Sequence, residues 1–127
     1  MMMLPQSVRI FIAREPTDMR KGHDGLAALV QNSMKGDLFS GHLFVFLSKQ
    51  RNRVKILTWE RGGLVLWYKR LEKGRLKMPK IGESMSSIEL DSGELSMLLE
   101  GLDLNKVKRP KRWEPPRNSS FSVEATL

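Results

Sequence analysis

The chain has 127 residues, enough for one domain that buries roughly two-thirds of the surface its unfolded form exposes. With 40% hydrophobic and 28% charged residues it reads as globular; with no cysteine and two histidines, His23 and His42, it lacks the means for disulfides, thiolate catalysis or a cysteine or histidine-rich metal site. The net charge of +8 is unevenly spread: residues 48–80 hold eleven lysines and arginines against two acids, whereas residues 81–105 hold six acids and no cation.

In chain order, Val8–Ala13 alternates loosely and reads as a short strand. Pro16 keeps the residue before it out of helix, and Thr17 or Asp18 is placed to cap a helix that runs from Met19. Met19, His23, Leu26, Val30 and Met34 follow the helical period, which puts His23 on the packed face, and Gly36 is the expected terminator. His42–Leu47 is apolar on both faces, as in a central strand. Val54–Trp59 and Leu64–Leu71 are two further strands, joined through short turns at Ser48–Arg53 and Glu60–Gly63. Asp91 and Glu94 form a capping box for a second helix, with Leu90 stapled to Leu95 and a stripe of Leu95, Leu98, Leu99 and Leu102. The expectation is an α+β domain over residues 1–105: an antiparallel meander of three strands, with the N-terminal strand as a possible fourth, packed with two helices. Residues 106–127, basic and rich in proline and serine, read as a tail. Pro5 and Arg9 interrupt the start where a signal peptide needs an apolar core, and no apolar run approaches the roughly 18 residues of a membrane span. A cytoplasmic protein with no membrane partner is expected.

The search for catalytic chemistry returns little. There is no H-E-x-x-H, no G-x-S-x-G, no G-x-G-x-x-G, and Gly62-Gly63 lacks the Lys-Ser/Thr of a phosphate loop. Asp18, Asp24 and Glu60 or Glu72 are the carboxylates that a two-metal site would have to gather, but none lies at the centre of an expected strand. No catalytic residue, metal ligand or cofactor is assigned.

Polyanion binding is the chemistry the charges favour. Lys49, Arg51, Arg53 and Lys55 surround one turn, and Lys69, Arg70, Lys73 and Arg75 follow the last strand of the meander, with Trp59, Trp67 and Tyr68 interleaved. Cations contact phosphate and exposed aromatics stack on bases. Alternation sets Trp67 with Lys69 on one face and Tyr68 with Arg70 on the other, so at least one aromatic faces the core. Arg20 and Lys21, at an expected helix start, add an anion-binding candidate in which side chains reinforce free backbone amides. These ten cations are the candidate nucleic-acid-binding residues.

Several segments are familiar as a set. Thr17-Asp18-Met19-Arg20-Lys21-Gly22-His23-Asp24-Gly25-Leu26, Phe39-Ser40-Gly41-His42-Leu43-Phe44-Val45-Phe46, Lys55-Ile56-Leu57-Thr58-Trp59-Glu60, the run from Gly63 to Gly74, and Leu98-Leu99-Glu100-Gly101-Leu102-Asp103 resemble the TnpB accessory protein of bacterial insertion-sequence-66 elements. The likeness spans about residues 5–113, in order and spacing; His23 and Thr58 depart from the usual pattern. The resemblance implies a non-enzymatic part in DNA transposition, beside a separate transposase encoded by the same element. Two jobs fit: binding DNA, such as element ends, or a transposase–DNA assembly at the nucleoid, and an adaptor that contacts the transposase with little affinity for DNA. A nuclease or strand-transfer enzyme is a third and weaker reading.

Overall fold

The structure is a computed structural model and describes residues 7–101. The elements are β1 (Ile10–Ala13), α1 (His23–Asn32), a single 3-10 turn (Leu38–Ser40), β2 (Leu43–Leu47), β3 (Arg53–Glu60), β4 (Gly63–Arg70), β5 (Ser87–Leu90) and α2 (Ser92–Leu99). They build one five-stranded sheet in the order β4-β3-β2-β1-β5. The α+β class holds. The meander β2-β3-β4 is antiparallel as expected, and its register sets Arg53 opposite Arg70 and Glu60 opposite Gly63.

Two features correct the expectation of an all-antiparallel sheet of three to four strands. β1 runs parallel to β2, pairing Ile10 with Leu43 and Ile12 with Val45. The segment between them contains α1, and a helical crossover is what lets two sequential strands lie parallel. β5 is a fifth strand, antiparallel to β1. Its alternation of Ser87, Ile88, Glu89 and Leu90 is only four residues long, and Leu90 also begins the capping signal of α2.

The sheet is covered on both faces because β2 is apolar on both. Leu43, Val45 and Leu47 join Ile10, Ile12, Val54, Ile56 and Leu76 against Leu95, Leu98 and Leu99 of α2. Phe44 and Phe46 face the other way and pack with Leu57 under Leu26, Val30 and Met34 of the α1 segment. Asp91 accepts from the Glu94 backbone N–H while the Glu94 side chain accepts from that of Asp91, so the capping box forms as read. Leu102 and residues 106–127 lie outside the described residues.

The first helix starts later than its apolar spacing indicates. Asp18 to Lys21 is a turn, and α1 begins at His23, which is exposed and not a packing residue. The helix ends at Asn32. Lys35, at φ 55°, takes the left-handed position expected of Gly36. Gly36 is needed for space instead: a Cβ there would lie 2.7 Å from Cε1 of Phe44.

Candidate nucleic-acid interface

Three segments far apart in sequence meet at one end of the sheet. The first is the turn Thr17–Lys21, tied to β2 by Thr17 N–H donating to the Leu47 carbonyl at 2.8 Å. The second is the β2–β3 turn. Ser48 organises it: its carbonyl accepts from Arg51 N–H and its hydroxyl accepts from Arg53 N–H at 3.1 Å, with Arg51 held at φ 59°. The third is the loop after β4, stitched to that turn by Leu71 N–H donating to the Asn52 carbonyl at 2.7 Å and Leu76 N–H to the Arg51 carbonyl at 2.6 Å. Lys73 and Arg75 lie between those two stitches and are exposed.

Eight of the ten predicted cations therefore surround this end of the sheet with their side chains available. Arg20, Lys49 and Arg53 line one open groove of about 410 Å³, together with Asp18, Ser48 and Asn52. Lys49 and Arg51 line an adjoining hollow of about 250 Å³, where Arg14, not singled out in the sequence, joins them. Arg70 stands directly across from Arg53 in the ladder. Lys21 is exposed at the edge of the same turn. Like charges in directly opposed sheet positions repel. Of the opposed pair, Arg70 is bonded to Glu72 at 2.7 Å, and both members of that ion pair are more than half exposed. Tyr68, next on the same face as Arg70, is 48% exposed beside them.

The other two predicted cations are bound to the fold and are reassigned. Lys55 is buried at 8% exposure. Its Nζ donates to the carbonyls of Met19 at 2.7 Å and Lys21 at 2.8 Å, and lies 5.0 Å from the Tyr68 ring centre. Those carbonyls belong to the turn that precedes α1. Lys69 donates to the Leu99 carbonyl at 3.0 Å, satisfying one of the free carbonyls at the C-terminus of α2. Both ammonium groups are held by main-chain carbonyls of the fold. Charge counted along a sequence cannot distinguish such lysines from exposed ones, because their partners are backbone carbonyls some 30 residues away.

Asp18 tempers the groove. It accepts from the Arg20 side chain and from Arg20 N–H at 2.9 Å, and those bonds lower its carboxyl from 3.8 to about 2. Arg20 stays 92% exposed while Nε and Nη2 are so held, so Nη1 remains open to an anion. Trp67 is half-buried against the α2-side core. Trp59 is half-buried at the opposite end of β3, where Phe39, 59% exposed, meets it edge-to-face at 4.9 Å. Among the described residues no three of His, Asp and Glu converge as metal ligands. Among them, too, no helix is long and apolar enough to cross a membrane.

Comparison with known proteins bears on this arrangement. The family model described as IS66 Orf2-like protein matches residues 8–109. Two relatives come from Sinorhizobium fredii (strain NBRC 101917 / NGR234). The uncharacterized protein y4jC is 35% identical over 104 residues, covering 82% of this chain and 87% of its own length. The uncharacterized protein y4hO is 35% identical over 117 residues, covering 91% and 98%. No solved structure matches at a significant level.

Proposed function

The chain belongs to the IS66 Orf2-like family of insertion-sequence proteins, and on that premise we propose that it is a non-catalytic accessory protein of transposition that binds DNA through the basic end of its sheet. The observation that carries the reading is the convergence of Arg20, Lys49, Arg51, Arg53, Arg70, Lys73 and Arg75 from three segments cross-linked by main-chain hydrogen bonds. Cations fixed by a folded scaffold lose less entropy on meeting phosphates than cations on a free segment. Opposed Arg53 and Arg70 repel in the free protein, and a phosphate between them turns that repulsion into two charge-assisted hydrogen bonds. Tyr68 adds a surface on which an unpaired base can stack.

Titration on element-end duplex, random duplex and single strand at two salt concentrations tests this. Binding that weakens steeply with salt on at least one substrate supports the reading; no binding at moderate salt refutes it. Supercoiled DNA incubated with magnesium or manganese is expected to stay uncut. Nicking lost in an Asp18→Ala or Asp24→Ala variant would instead establish an enzyme.

A second reading rests on its own observation, the exposed Phe39 ring set edge-to-face against half-buried Trp59. Aromatic pairs of this kind anchor protein interfaces, and here the partner would be the transposase. That adaptor role predicts binding insensitive to salt and abolished by Phe39→Ala.

A further inference from the structure

β4 closes one edge of the sheet, and its chemistry differs from that of the other edge. β5 is four residues long, and its Glu89 is tied across to Arg9 at 2.6 Å. β4 has eight residues, and from Gly63 to Tyr68 it carries no proline and no charge. Soluble proteins normally blunt an edge with one of these.

The hairpin turn fixes which main-chain groups the edge presents. Arg61 at φ 48° and Gly62 at φ 84° make a two-residue turn of the I′ kind, so Glu60 and Gly63 exchange both hydrogen bonds. Alternation then turns the N–H and C=O of Gly63, Val65, Trp67 and Lys69 toward β3, and those of Leu64, Leu66, Tyr68 and Arg70 outward. Among the described residues no main-chain hydrogen bond reaches that outer row.

We propose that β4 pairs antiparallel with β4 of a second copy, centred on Leu66 facing Leu66 of the partner, to make one continuous ten-stranded sheet. A two-fold axis normal to the sheet leaves each residue on its own face, so only residues of the same parity can be opposed. Centring on Leu66 opposes Leu64 to Tyr68, Val65 to Trp67, Gly63 to Lys69 and Gly62 to Arg70. Val65 at 40% and Tyr68 at 48% exposure, two of the most exposed large apolar side chains, each meet a half-buried apolar partner. Both cations meet glycine, so no like charges are opposed within the strand. Centring on Trp67 would set Lys69 against Val65 and Arg70 against Leu64, losing those pairings. The second copy is thus the occupant that the sequence of the edge fits.

The dimer stands independently of DNA binding, but it places both Arg53–Arg70 pairs on one face. The two Arg70 positions are eight residues apart along the joined strands, about 27 Å, which is within a single duplex turn of roughly 34 Å.

The chain has no cysteine, so one introduced thiol reports cleanly. In the full-length protein Leu66→Cys puts two Cα atoms about 5.5 Å apart across the axis, inside the range a disulfide bridges. Under mild oxidation it should cross-link far faster than Ser96→Cys, an exposed control on α2. Sedimentation of the wild type should give twice the chain mass, and Val65→Lys should raise the dissociation constant by about tenfold or more. A wild-type monomer at all concentrations overturns the proposal. So does a dimer that Val65→Lys leaves intact and Leu66→Cys does not trap. Slow amide exchange of Leu64, Leu66 and Tyr68 in a monomer would show that another part of the same chain covers the edge, which also overturns it.

Discussion

Lys55→Met separates a lysine that builds the interface from one that touches the ligand. Methionine keeps most of the buried stem and removes the ammonium. Lost with it are two hydrogen bonds of 2.7 and 2.8 Å from a charged donor, each worth about 1.5–3 kcal/mol, and a cation–π contact with Tyr68 worth roughly 0.5–1 kcal/mol. Relief from burying a charge returns part of this, and water can reach the freed carbonyls of a surface turn. The net cost is about 2–4 kcal/mol, which for a domain of this size lowers Tm by about 10 °C or more. Because the turn that carries Arg20 loosens, the slope of log affinity against log salt on duplex DNA should fall by at most one phosphate contact, about 0.9. Arg53→Ala should do the reverse: hold Tm to within about 0.5 kcal/mol of stability and lower both affinity and slope. Thermal melts followed by circular dichroism, paired with titrations at several salt concentrations, read both quantities. If Lys55→Met keeps its Tm and weakens binding as Arg53→Ala does, Lys55 contacts phosphate and its structural assignment is wrong.

Further outcomes follow from other contacts. Asp91→Ala removes the capping box of α2 and should cost about 1–2 kcal/mol in denaturant unfolding. Gly36→Ala presses a Cβ onto the buried Phe44 ring and should cost about 1–3 kcal/mol, more than a propensity effect would give. His23→Phe, at an exposed position, should leave Tm unchanged; a rise would mean that His23 packs after all. The depressed carboxyl of Asp18 stabilises the fold above its ordinary value of 3.8, and the contribution fades as pH falls toward about 2. Asp18→Asn should therefore remove that part of the acid-unfolding profile. It should also raise DNA affinity at neutral pH by removing the anion from the groove, and weaker binding by the variant would refute that role.

The parts of this fold written in local pattern were legible. The meander, the short turn at Glu60–Gly63 and the capping box at Asp91 and Glu94 each depend on residues within a few positions of one another. What failed depends on distant partners. β5 is four residues whose pairing exists only because β1 lies beside it, and β1 is parallel to β2 because a helix intervenes. The turn before α1 gives the Met19 and Lys21 carbonyls to Lys55, more than 30 residues downstream, a partner that local periodicity does not reveal. At the candidate site, most of the cations that charge counting singled out in residues 48–80 do gather at one end of the sheet. That counting could not separate Lys55 and Lys69, which hold backbone, from Arg53 and Arg70, which face each other on the sheet.

The central claim, that the opposed Arg53–Arg70 pair binds phosphate, is tested most directly by the salt dependence of an Arg53→Ala/Arg70→Ala double variant on duplex DNA. Two lost phosphate contacts should reduce the slope of log affinity against log salt by about 1.8, with Tm held near that of the wild type. An unchanged slope in a folded double variant would contradict the account.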